Sequence, residues 1–148
     1  MREAIYAALK PVRSRQQMMF AIRSAAGEIA GAYNVTAPEG RETFGGLLGA
    51  CAEVTGSGAE FVWVPDEQLL AYGVRQWSEM PLWRTFRGVW QVSSVAAQTA
   101  GLSCRPLSAT VADTWSWMQD TAVRADGERA AEIGISLERE QQILARVA

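Results

Sequence analysis

Tyr6 and Lys10 stand four residues apart in the stretch IYAALK, a Tyr-x-x-x-Lys spacing. Four residues is a little over one helical turn, so both side chains fall on one helix face. An ammonium beside a phenol favours the phenolate, which draws the phenol's pKa toward neutrality and makes it a usable proton donor. Lys10 is the only lysine in the chain, against three tyrosines, which makes the spacing worth weighing. The plainer alternative is two neighbours on an ordinary helix. Glu79 is a second candidate. It lies between Trp77 and Trp83, and burial there would raise its pKa and make it a usable acid or base.

Binding chemistry concentrates in VRQWSEMPLWRTF, Val74 to Phe86. Aromatic faces interleaved with charges suit a planar molecule or a sugar ring. Trp63, Tyr72, Arg75, Trp77, Trp83 and Arg84 are the candidate substrate-binding residues, and Arg75, Arg84 and Arg87 could hold a carboxylate or phosphate. The competing reading makes Trp77 and Trp83 core filler. Asp66 and Glu67 are adjacent, and Asp66 reads better as a helix cap than as a base.

Other chemistry is excluded. The chain has no histidine, so no His triad and no His-ligated metal forms within it. Cys51 and Cys104 share no Cys-x-x-Cys spacing and read as buried apolar filler, with a nucleophile or a disulfide as the lesser options. No metal site is expected. A net charge of −2 gives no basic footprint for nucleic acid. No apolar run reaches the roughly 18 residues of a membrane span. Arg13, Arg15, Gln16 and Gln17 interrupt any signal-peptide core, so a soluble cytoplasmic protein is the default expectation, with no membrane partner.

The elements that must position these residues follow from periodicity. The 148 residues predict a single domain. Glu3 to Lys10 favours helix until Pro11. Arg15 to Ile29 carries an apolar stripe at Met18, Ile22, Ala25 and Ile29. Thr43 caps a helix whose inner face is Phe44, Leu47, Leu48 and Cys51, and the cluster Thr55–Gly58 ends it. A short helix begins at Asp66 and another occupies Ser94 to Ala100. A long one spans Ser108 to Val123, with Val111, Trp115, Met118 and Ala122 as its stripe. A last one spans Ser136 to Val147, capped by Ser136. Ala32–Thr36, Glu60–Val64 and Val89–Ser93 read as short strands, with a fourth near Leu102. The expected class is α+β, mostly helical with a small sheet of three to four short strands.

Three pieces carry a resemblance. They are YNVTAP leading into TFGGLLGACAEVTG, then FVWVPDEQLL, then GLSCRPLSATVADTWSWM. In this order they resemble the C-terminal, substrate-binding part of extended short-chain dehydrogenase/reductases, the NAD-dependent epimerase/dehydratase family, over about residues 19 to 148. Residues 1–18 would then be a relic of the catalytic helix plus a linker, with Tyr6 and Lys10 as the family's tyrosine and lysine. The family's Gly-x-x-Gly-x-x-Gly turn is missing, and Gly40, Gly45, Gly46, Gly56 and Gly58 follow the wrong elements to replace it. The resemblance therefore implies a truncated protein that binds a small molecule without NAD(P) chemistry or any other cofactor, in the manner of an accessory subunit. The alternative is a cofactor-independent cyclase, isomerase or dehydratase of secondary metabolism. Cut from its sheet, Ala32–Thr36 would expose an edge that a second copy or a partner protein must cover, so a homodimer is expected.

Overall fold

The computed structural model describes residues 15–120 and 134–147. Six α-helices and one 3₁₀ turn order these residues. They are α1 (Arg15–Ala25), α2 (Phe44–Thr55), α3 (Asp66–Ala71), the 3₁₀ turn Arg87–Trp90, α4 (Val95–Thr99), α5 (Leu107–Asp120) and α6 (Leu137–Val147). The predicted Glu3–Lys10 helix, and with it Tyr6 and Lys10, lies outside the described residues.

The ends of α2 form as the sequence dictates. Thr43 accepts the Gly46 N–H on Oγ1 at 3.0 Å, satisfying one of the free donors of the first turn. At the other end Gly56 takes φ +60°, a left-handed cap that costs glycine no Cβ clash. Helix α6 starts as expected too, with Ser136 Oγ accepting the Arg139 N–H at 3.2 Å.

The core is divided into three small clusters. Leu47 and Cys51 of α2 meet Val111 of α5, and this is the one extended helix–helix contact among the described residues. Phe20 of α1 packs with Ala97 of α4 and Leu102. Leu69 of α3 and Val74 pack under Ile143 of α6, with Val64, Tyr72, Met80 and Trp83 around them.

The expected sheet is absent among the described residues, which hold only an isolated bridge between Gln76 and Met80. A strand needs a second backbone to bond to, and each candidate finds something else. Ala32–Thr36 forms no regular element, and two of its carbonyls and the next one accept from side chains. Gln17 Nε2 donates to Val35 O at 3.2 Å, Ser94 Oγ to Ala37 O at 3.3 Å, and the Cys104 thiol to Thr36 O at 3.8 Å. Tyr33 and Val35 pack against the Phe20 cluster, and Tyr33 meets Phe20 edge-on with ring centroids 5.3 Å apart. The unpaired edge that called for a second copy is therefore not an edge. Glu60–Val64 is irregular, without a ladder, and the start of Val89–Ser93 is wound into the 3₁₀ turn. The fold is helices joined by long irregular segments, not α+β.

One helix face also differs from its predicted stripe. Met18 and Ile22 of α1 are exposed, and Phe20 is the side chain turned inward.

Candidate functional site

The segment Val74–Gln91 is tied across its own loop and to the start of α3. Gln76 and Thr85 clasp across the loop. Gln76 Nε2 donates to Thr85 Oγ1 at 3.1 Å, and the Thr85 N–H donates to Gln76 Oε1 at 3.0 Å. Trp83 donates its indole N–H to Asp66 Oδ1 at 2.8 Å and packs on the Leu69 cluster. Trp83 is thus a half-buried neighbour of that cluster, tied to the start of α3. Asp66 is not the cap. Pro65 occupies the cap position of α3 without any side-chain bond, and the Asp66 carboxylate serves the indole.

Trp77 behaves differently. It sits at φ +69°, a left-handed conformation that is a true outlier for a bulky residue. The residue is nevertheless 47% exposed. It stacks on Trp90, also 47% exposed, with ring centroids 6.3 Å apart and planes 27° from parallel. The Arg84 guanidinium carbon lies over the Trp77 ring, 5.2 Å from its centroid. Phe86 continues this surface along the chain, 73% exposed, its ring folded back over Gly88 where a Cβ would lie 2.8 Å from it. Any side chain at position 88 would displace that ring.

Two of the predicted binding residues, Trp77 and Arg84, therefore come together with Trp90, which the sequence reading placed on a strand. Had Val89–Ser93 been read as a turn after Arg87-Gly88, Trp90 would have stood out as an exposed aromatic. The other four are placed elsewhere. Trp63 is exposed and lies against Gly45 of α2, where a Cβ would meet its ring at 3.4 Å. Tyr72 packs in the Leu69 cluster beneath the Arg146 guanidinium, 5.5 Å from its ring centroid. Arg75 extends into solvent with its Nε 3.7 Å from Glu79 Oε1. Trp83 is the partner of Asp66.

Glu79 is nearly buried, its side chain 12% exposed, and it faces two arginines. Its Oε2 accepts the Arg75 N–H at 2.6 Å, and its Oε1 faces Arg139 Nε at 3.4 Å as well as Arg75 Nε. The Arg139 contact is one of charge without hydrogen-bond geometry.

No family model, curated protein or solved structure matches the chain. Cys51 is fully buried, and burial pushes its thiol above the ordinary value of 9.0, the opposite of an activated nucleophile. Both cysteines are free. Among the described residues no three His, Cys, Asp or Glu side chains gather as metal ligands, and no helix is long and apolar enough to cross a membrane. An open groove of about 400 Å³ lies between α1 and Gly31–Val35, with Phe20, Ser24 and Tyr33 on its walls, and it includes none of the predicted site residues.

Proposed function

We propose that this protein is a binding module that takes a small molecule with a flat or ring-shaped face and an anionic group, and performs no hydride transfer of its own. The observation that carries the reading is the Arg84–Trp77–Trp90 arrangement. Two half-exposed indoles are stacked against each other beside a guanidinium, and one of them is held in a backbone conformation that its residue type disfavours. Strained residues of this kind cluster at ligand sites, where the surrounding structure holds them ready. Indole faces bind rings without demanding a particular substituent, and a guanidinium supplies the preference for a carboxylate or phosphate. The small-molecule role implied by the resemblance is thus kept, but it rests on this aromatic platform. Glu79, the described residue of the catalytic alternative, accepts the Arg75 N–H and faces Arg139, which supports a role in holding the loop. A dinucleotide loop is not favoured by the glycines, since Gly56 serves the C-terminal end of α2 and a phosphate sits at the N-terminal end of a helix.

The test is equilibrium binding of naphthalene carboxylate, indole acetate and glucose phosphate, followed by intrinsic fluorescence and dialysis. At least one should bind, and Trp77→Ala or Trp90→Ala should weaken it by about tenfold, the equivalent of roughly 1.4 kcal/mol of lost ring contact. The reading fails if none binds, or if the doubly substituted protein binds as tightly as the parent.

A further inference from the structure

The residues that hold Trp77 in its exposed, left-handed posture include one from the far end of the chain. Arg139, in the first turn of α6, sends its Nη2 into the turn that follows α3, donating to Tyr72 O at 2.8 Å and to Gly73 O at 3.1 Å. The same guanidinium faces Glu79 through Nε. Glu79 in turn accepts the backbone N–H of Arg75, two residues before Trp77. Just before α6, the Gly134 N–H donates to Ser78 O at 2.6 Å, one residue after Trp77. Val74 is buried against Ile143 of α6. The backbone on both sides of Trp77 is therefore tied to the α6 region, by charge, by hydrogen bonds and by apolar packing.

We infer that Arg139 and Glu79 are positioning residues for the aromatic platform, acting as a polar staple through which α6 sets the posture of Trp77. Neither touches the platform rings. Glu79 fixes the Arg75 end of the turn and Arg139 fixes Glu79 relative to Tyr72 and Gly73. With the staple cut, the loop relaxes toward ordinary backbone angles, Trp77 leaves Trp90, and only a fraction of molecules keep the binding-competent arrangement. Apparent affinity falls by that fraction. The inference rests on the proposed platform for its affinity readout, but its spectroscopic readout is independent of any ligand.

Two stacked indoles couple their transitions and give an exciton couplet in far-ultraviolet circular dichroism. Trp90→Phe identifies the Trp77–Trp90 part of that signal by removing it. Arg139→Met, which keeps the length of the side chain and removes its charge and donors, should remove the same part and weaken binding of naphthalene carboxylate about tenfold. Glu79→Gln should do likewise, and the two together should cost little more than either alone, because they cut one staple. Arg139→Lys, with charge but no fork to span two carbonyls and a carboxylate, should recover part of the couplet. If Arg139→Met loses its cooperative melting transition, Glu79→Gln decides the matter by the same two measurements. The inference is overturned if the couplet attributed to Trp77 and Trp90 survives in a folded Arg139→Met or Glu79→Gln protein. A parent protein that shows the couplet but binds none of the probes would sink the platform's proposed function and leave the staple standing.

Discussion

Glycine and alanine at position 77 should reverse their usual order of stability. Either substitution removes the Trp77 indole, so the lost stacking on Trp90 and the lost Arg84 contact cancel in the comparison. What remains is backbone. At an ordinary position glycine is the less stable of the two by about 0.5–1 kcal/mol, because its unfolded chain has more freedom to lose. At φ +69° alanine keeps a Cβ that crowds the following carbonyl oxygen, a cost of about 1–2 kcal/mol for an L-residue. The difference leaves Trp77→Gly more stable than Trp77→Ala by about 0.5–1 kcal/mol. With a urea slope of about 1–3 kcal/mol/M for a protein of this size, the midpoints should lie a few tenths of a molar apart, glycine higher. Urea titration followed by circular dichroism measures this directly. Equal midpoints, or a higher one for alanine, would show that the loop does not impose the left-handed conformation, and the argument for a strained, held site would go with it.

The remaining expectations concern the α2–α5 core. Leu47→Ala removes a buried side chain from the cluster with Cys51 and Val111, and should cost about 2–3 kcal/mol in denaturant titration, the lower part of the usual range because half-buried neighbours such as Phe44 and Leu82 can settle into the gap. Thiol labelling of the native protein should reach Cys104 first and spare the fully buried Cys51 until the protein unfolds. Because burial raises the Cys51 pKa in the folded state, the unfolded chain gives up that proton first. Its contribution to stability is complete below the ordinary thiol value of 9.0 and falls away as pH rises above it, a slope that Cys51→Ala should remove from the alkaline limb of a stability–pH profile.

Local signals were legible wherever one turn of chain decides the outcome. Thr43 before an apolar run, Gly56 after it, and Ser136 three residues before Arg139 mark helix ends, because capping involves a side chain and a backbone group within the same turn. The inner faces of α2 and α5 were legible through Leu47, Cys51 and Val111 at helical spacing. Helix α1 shows the limit. MMFAI supports more than one apolar stripe, and only the position of Ala97 and Leu102 selects Phe20 over Met18 and Ile22. The site was half legible. Trp77 and Arg84 stood out as aromatics and charges in an irregular stretch. Trp90 did not, since VWQVS matches a strand by composition, and the structure winds its start into a 3₁₀ turn.

By itself the sequence determined that the chain is helix-rich, where most helices begin and end, and that histidine chemistry has no part in it. These are properties of single residues and of contacts within a turn. Tertiary structure alone decided that the described β-rich segments form no sheet, that Asp66 holds an indole, that Glu79 lies between two arginines, and that Trp77 and Trp90 share a surface. Each of these depends on which group from a distant part of the chain arrives as the partner. A backbone carbonyl accepts equally well from a neighbouring strand or from the amide of Gln17, so the preference of a segment for extended angles leaves its partner undecided.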